Sequence, residues 1–445
     1  MTLAMTDQDT RLHLSPPHLS GEEIEFVKEA FASNYIAPLG PMVDAFEDEF
    51  SSYTGFPYCL AVSSGTAAMH LALRHILEEN GWRVEGTGQT GCDAEKPLIL
   101  ASTFTFIGSV SPAVYLGADI TFIDCDPHTW NMDSTLLEEE IVRLVATGRP
   151  PAAVIPTDIY GQCADLPRIN EICRRHSIPL IADSAESVGA TYRLQEEEDI
   201  HARESVKDGF SEGKESTPVV PGKNQQTVTT NTKEEKPGTT SKMFHAGWHA
   251  DAAVFSFNGN KLITTSGGGI LGSHDKGLIE HARKLATQAR EPVNYYQHTE
   301  IGYNYRMSNI VAAIGRGQLR VVDKRVEQAR AIFQAYRERL GGHTGINFMP
   351  EAAYNRSSRW LTPILVDPGK TGTDNTTLLN ALTDANIEAR PIWKPMHLQP
   401  VFQNNRVVGG QISENIFDHG LCLPTGTAMS EDDIDRVCKI IETYI

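Results

Sequence analysis

The run Phe255-Ser256-Phe257-Asn258-Gly259-Asn260-Lys261 carries an apolar stretch, Ala252 to Phe257, onto a single lysine in a polar loop, and Gly267-Gly268-Gly269 follows. The apolar stretch predicts a strand, so the lysine leaves a sheet at a strand end, and the glycines permit close backbone approach beside whatever binds there. A primary amine in that position suits covalent chemistry, because it condenses with a carbonyl to a Schiff base and can afterwards carry a proton. Ser256 adds a hydroxyl for a phosphate or a ring. Alone, these residues favour a surface lysine after a core strand.

Three other stretches offer matching chemistry. Ser63-Ser64-Gly65-Thr66-Ala67-Ala68 lies between a strand, Tyr58 to Val62, and a helix with Ala68, Leu71, Ala72 and Ile76 on one face. Small residues there leave amides and hydroxyls around a helix N-terminus, a cup for a phosphate, although an ordinary capped turn has the same composition. Asp183 ends the apolar run Leu180-Ile181-Ala182, with Glu186 beyond it, and Phe106 closes Thr103-Phe104-Thr105-Phe106 just past a strand ending near Ala101. These are the groups that pyridoxal phosphate (PLP) requires. A carboxylate such as Asp183 keeps the pyridine nitrogen protonated so that the ring accepts electrons, and an aromatic ring such as Phe106 stacks on the pyridine face. Read singly, the aspartate is a helix cap and the phenylalanine is core. No metal is expected.

Strand-like runs at Pro97 to Ala101, Asp119 to Ile123, Ala152 to Pro156 and Pro179 to Ala182 alternate with helical segments. Such alternation predicts an α/β domain with a mainly parallel sheet, whose ligands gather at the carboxyl ends of the strands. Before them, Ser20 with Glu23 predicts a capped helix start, and Val43 to Phe50 a second helix after the Gly/Pro loop 33–41. After the lysine, helices are expected over Asp275 to Gln288, from Ser308 to about Leu340, over Asn375 to Ala385 and over Glu431 to Tyr444. Ala312, Ala313, Gly315 and Gly317 suit close packing, Pro292 to Arg306 reads as a loop, and Trp360 to Val366 and Ile387 to Ile392 read as strands.

The expected organisation is a large domain over 12–340 and a small C-terminal domain over 341–445. Residues 81–96 read as a surface loop. Residues 193–245, dominated by Glu, Lys, Ser, Thr, Gly and Pro, read as an insertion without enough apolar surface to offset its ordering entropy. With 39 Lys and Arg against 57 Asp and Glu, the formal net charge of −18 argues against general affinity for nucleic acid or anionic membranes. The 7 cysteines are scattered without a Cys-x-x-Cys pair, so reduced thiols are expected. No run approaches the roughly 20 apolar residues of a membrane span, and a cytoplasmic protein is the simplest expectation.

The ordered set Ser63 to Ala68, Thr103 to Phe106, Ala182-Asp183-Ser184-Ala185-Glu186-Ser187, Phe255 to Lys261 and Gly302-Tyr303-Asn304-Tyr305-Arg306-Met307-Ser308 resembles the DegT/DnrJ/EryC1/StrS family of sugar aminotransferases. The resemblance spans roughly 15–192 and 246–445. It implies a PLP-dependent aminotransferase of the aspartate aminotransferase-like fold (fold type I), as a homodimer with active sites at the interface. It further implies that Lys261 anchors the cofactor and shuttles the proton and that Asp183 pairs with the pyridine nitrogen. Phe106 would stack on the ring, and Gly65, Thr66, Ala67 and Ser256 would hold the phosphate. Glu186 would lie near the ring hydroxyl, and Asn304 would reach the neighbouring subunit's site.

The segments Ser33 to Gly40 and Arg390 to His397 resemble those of enzymes that aminate UDP-linked 4-keto-6-deoxy-N-acetylhexosamines with glutamate as donor. Asn34, Tyr35, Ala37, Arg390, Lys394 and His397 are then substrate-binding candidates, with the basic groups as donors to a diphosphate. For His397 a structural hydrogen bond is the alternative. A GDP-perosamine synthase-type enzyme and a non-catalytic PLP-binding regulatory protein stay open. A dehydratase of the same family is disfavoured, since that class is expected to carry histidine where Lys261 stands.

Overall fold

The computed structural model describes residues 11–82, 96–194 and 242–445. The chain divides into two compact units, Met1–Tyr192 with His245–Ile445, and Arg193–Phe244. Most of the second unit, residues 195–241, lies outside the described residues, as does most of the loop expected at 81–96. The insertion expected at 193–245 therefore falls almost wholly outside them.

The first unit is built on β1 (Tyr58–Val62), β2 (Leu98–Ser102), β3 (Asp119–Ile123), β4 (Ala153–Ile155), β5 (Ile181–Asp183), β6 (Ala252–Ser256) and β7 (Gly269–Ser273). Their order is β1-β7-β6-β5 in one run of strands and β3-β2-β4 in another. Parallel bridges Val154 to Leu180 and Thr157 to Asp183 join the runs into one sheet. β2, β3 and β4 pair in parallel, as do β5 and β6; β7 runs antiparallel to both β6 and β1. β2 is buried at every residue and β6 at all but Ser256, the pattern of strands covered on both faces. One apolar core takes in Leu60, Ile99, Val254 and Leu271 from the strands and Ala68, Leu71, Ala72 and Ile76 from the helix Gly65–Glu79.

C-terminal residues form β8 (Ile346–Phe348), β9 (Thr362–Val366), β10 (Arg390–Pro391) and β12 (Gly420–Leu423), an antiparallel sheet in the order β8-β9-β12-β10. Their own core includes Ile364, Leu378, Leu421 and Val437. The intervening β11 (Val407–Val408) instead pairs in parallel with β3.

Three elements differ from the sequence reading. The first helix begins at Glu23, and the Glu23 carboxylate itself accepts from the amides of Ser20 (2.8 Å) and Gly21 (2.9 Å). The N-cap position is Glu22 and carries no side-chain cap, so the expected Ser20 cap does not form and the acid instead holds the two amides ahead of the helix. The helical region after Ser308 is two helices, Asn309–Leu319 and Val322–Leu340, broken at residues 320–321. The strand expected from Ile387 to Ile392 shrinks to Arg390–Pro391, where a proline without an amide hydrogen limits the ladder.

The six cysteines among the described residues are buried and free. No helix among them is long and apolar enough to cross a membrane.

Candidate active site

Asp183 is the last residue of β5 and pairs in parallel register with Val254 of β6, so the strand leading to Lys261 runs beside the strand ending on the acid. Lys261 lies in the turn after β6, its amide donating to the Asn258 carbonyl at 3.0 Å. Its Nζ is 3.4 Å from Glu186 Oε1 and 4.1 Å from the centroid of the Trp360 ring. Sheet order thereby brings Lys261 to the carboxyl edge that carries Asp183 and Glu186, and Trp360 joins them from the chain ahead of β9.

The Asp183 carboxylate is buried, accepting from the Ser109 hydroxyl and, at 3.1 Å, from the Ala185 amide. Burial pushes its carboxyl above the ordinary range; the Ser109 hydrogen bond opposes this, nearby Glu186 adds to it, and the Ala185 amide and the Lys261 charge oppose it. A buried carboxylate in this condition gains from a cation placed directly against it.

Ser64 is the N-cap of the helix Gly65–Glu79, its hydroxyl accepting from the Ala67 amide at 3.0 Å. That bond uses the Ala67 N–H, so Gly65 and Thr66 present the first-turn amides, which a helix leaves without internal acceptors. Small side chains surround them. A Cβ on Gly65 would lie 3.1 Å from Ser256 Cβ, and one on Gly108 would lie 3.1 Å from Thr66 Oγ1. Phe104 is buried, whereas Phe106 is 61% exposed, its ring 6.5 Å from that of Trp393.

The close approach expected of the glycine run after Lys261 is made by Gly269, against another turn of the chain. A Cβ on Gly269 would lie 2.6 Å from both Gly65 N and Ser64 C, so the close approach is between β7 and the chain's own 64–65 turn. A Cβ on Gly267 would meet nothing within 4 Å. Gly269→Ala is expected to cost about 1–3 kcal/mol and to weaken PLP binding by displacing that turn; thermal unfolding and cofactor titration check both effects.

Glu186 accepts from the Tyr160 amide (2.8 Å) and Trp393 Nε1 (3.4 Å) as well as from Lys261. Tyr160, Trp360, Trp393 and Ser109 escaped the sequence reading. Tyr160 has φ of 52°, an uncommon value for a non-glycine residue, but that signal exists only in three dimensions.

Among the described residues, none of the remaining candidates forms a hydrogen bond to Lys261, Asp183 or Glu186. Asn304 is exposed and forms no hydrogen bond to Lys261 or Asp183 among the described residues. Asn34, Tyr35 and Ala37 occupy an exposed loop pinned by Asn309, whose side-chain amide donates to the Tyr35 carbonyl (2.9 Å) and whose backbone amide donates to that of Ala37 (3.0 Å). Tyr35 lines a cavity of about 550 Å³ with Arg283 and Arg306. Arg390 is exposed beside Glu388 at 2.9 Å, and Lys394 is exposed. Both nitrogens of His397 are engaged, Nδ1 with Thr103 Oγ1 (2.6 Å) and Nε2 with Glu414 Oε1 (3.0 Å), which ties the 396–398 turn to the end of β2. Elsewhere, candidate ligand atoms of Glu78, His281 and Glu300 lie within 4.8 Å of one another, but Arg74 and Lys284 supply their counter-charge.

Residues 17–200 and 236–442 match the DegT/DnrJ/EryC1/StrS aminotransferase family. The chain is 40% identical to EpsN of Bacillus subtilis strain 168, over 97% of this chain and 95% of that protein. It is 30% identical to the GDP-perosamine synthase of Caulobacter vibrioides, over 98% of each. Among solved structures it resembles Helicobacter pylori PseC, an aminotransferase involved in pseudoaminic acid biosynthesis, with a TM-score of 0.75 at 18% identity over 98% of this chain and 99% of that one. The fold is therefore that of the type I PLP-dependent transferases, and this chain belongs to the DegT/DnrJ/EryC1/StrS family as a PLP-dependent sugar aminotransferase.

Proposed function

We propose that the enzyme transfers an amino group from glutamate to the C4 ketone of a nucleotide-linked 4-keto-6-deoxy sugar, a UDP-N-acetylhexosamine derivative, for glycan or glycoconjugate synthesis. The observation that carries the reading is the Lys261 amine beside Glu186, on the sheet edge that also holds the buried Asp183 carboxylate.

These residues suit PLP: a buried carboxylate for the ring nitrogen, a cradle of small residues at a helix start for the phosphate, and an exposed aromatic face. When bound, the cofactor supplies the electron sink for ionising a bond at the amine-bearing carbon. In this proposal the amides of Gly65 and Thr66 and the Ser256 hydroxyl hold the phosphate, while Ala67, its amide bonded to Ser64, sets that turn. Asp183 keeps the proton on the ring nitrogen, Phe106 covers the ring face, and Glu186 faces the ring hydroxyl side. Lys261 anchors the cofactor covalently; once freed, its Nζ takes a proton from the donor carbon and later returns one to C4 of the sugar.

Asn304, exposed in the single chain, is assigned in this proposal to a homodimer in which it completes the neighbouring site. The division into a large domain over 12–340 and a small one over 341–445, and a cytoplasmic location, belong to the same proposal. Arg390 and Lys394 are the cations proposed for a diphosphate, and the loop of Asn34, Tyr35 and Ala37 is a second proposed contact for the nucleotide sugar. His397 contributes by fixing its turn.

Arg390→Ala and Lys394→Ala are each expected to raise KM for the nucleotide sugar about tenfold with kcat within about twofold. His397→Ala is expected instead to cost about 1–3 kcal/mol of stability, the loss of a buried hydrogen-bonded group. Steady-state kinetics and thermal unfolding separate the two behaviours. The substrate itself is tested by offering UDP- and GDP-linked 4-keto-6-deoxy sugars with glutamate and reading products by mass spectrometry. Amination of the UDP-N-acetylhexosamine compound is expected. Exclusive amination of the GDP compound would favour a perosamine synthase-type reaction, the second reading, which the 30% identity to a GDP-perosamine synthase supports.

A further inference from the structure

Lys261 has a long, flexible side chain, and its amine needs a defined place whenever it is not joined to the cofactor. Its Nζ lies over the Trp360 ring, 4.1 Å from the centroid, with Glu186 Oε1 at 3.4 Å on another side. Trp360 is 1% exposed, and its indole N–H donates at 2.7 Å to the carbonyl of Asn260, the residue just before the lysine. The ring is thus tied to the turn that it faces. Glu186 is held in turn by the Tyr160 amide at 2.8 Å and by Trp393 Nε1 at 3.4 Å, while the Trp393 amide donates to the Tyr160 hydroxyl at 2.9 Å. An aromatic face and a carboxylate together form a receptor for an ammonium group.

We propose that Trp360 is a positioning residue for Lys261: its ring and the Glu186 carboxylate form a resting place that holds the free amine oriented between its covalent and proton-carrying roles. The proposal rests on the reading of Lys261 as the cofactor's anchor. Trp360 acts through the lysine and needs no contact with substrate.

The test uses full-length protein stripped of cofactor, to which PLP is added. The covalent adduct is fixed with borohydride at successive times and located by peptide mass mapping, beside kcat and KM for the wild type, Trp360→Phe, Trp360→Leu and Glu186→Gln. Trp360→Leu is expected to slow adduct formation about tenfold and to lower kcat by a similar factor, with both KM values within about twofold. Trp360→Phe, which keeps an aromatic face, is expected to stay within about threefold of wild type. Adduct formation at the wild-type rate in Trp360→Leu, or equal impairment of the Phe and Leu variants, would overturn the proposal. Glu186→Gln keeps the shape but removes the charge, and it provides a second test should the Leu variant not fold. Slowed adduct formation in Glu186→Gln supports the resting place; an unchanged rate overturns it. A wild-type adduct found on a residue other than Lys261 would instead overturn the anchor assignment beneath it.

Discussion

Lys261→Ala is expected to reduce turnover by roughly 10⁴-fold or more and to abolish borohydride-stable attachment of PLP. Two roles vanish together, since the same nitrogen is proposed to hold the cofactor and to move the proton in both directions. The fold should survive. Among the described residues the Lys261 side chain, 15% exposed, touches the Glu186 carboxylate at 3.4 Å and the Trp360 ring, so the variant loses little packing. Its loss does leave the buried Glu186 without its cation, a cost softened by the Tyr160 amide and Trp393 indole donors. Cofactor absorbance, circular dichroism and the amination rate measured on one preparation decide the matter. Turnover within about tenfold of wild type in a folded variant would remove Lys261 from its assigned role.

Asp183→Asn is expected to lower kcat by roughly 10²–10³-fold while PLP still binds. The amide is nearly isosteric and can still accept from the Ala185 N–H, so the end of β5 should keep its shape. It carries no charge, however, and cannot hold a proton on the ring nitrogen, where the electron sink depends on one.

A pH effect accompanies this change. In the cofactor-free chain, burial raises the Asp183 carboxyl above the ordinary carboxylate range. The folded chain then binds the proton more tightly than the unfolded chain. The stability contribution is present below the unfolded value and lost as pH rises through the raised one. A ring cation against the carboxylate reverses that loss. The gain in melting temperature on adding PLP should therefore grow as pH rises above about 4, and Asp183→Asn should flatten the growth. Equal pH dependence in both proteins would show that another group pairs with the ring nitrogen.

Much of the framework was legible in the residues themselves. β1 and β3 span the residues expected, and β2, β4 and β6 lie within one residue of expectation, because their apolar runs are bounded by Gly, Pro and polar residues. Ser64 caps the helix that its position announces. The family could be read from five short motifs because each is a local segment whose side-chain types are dictated by what it must hold.

What tertiary structure alone decided is which of these segments touch. Ser109 against Asp183, Gly269 against the 64–65 turn, and Trp360 over Lys261 all join residues far apart along the chain. The Gly269 contact follows from sheet order, β7 being inserted antiparallel between β6 and β1, whereas Ser109 and Trp360 reach their partners from segments outside those strands. Local propensity holds no record of such neighbours, since period and capping report only on residues a few positions apart. The residues by themselves thus determined the chemistry available to this protein: an amine, an acid, an aromatic ring and a helix start. The packing of the strands set the amine between a carboxylate and an indole, because those partners become adjacent only when the sheet closes over its core.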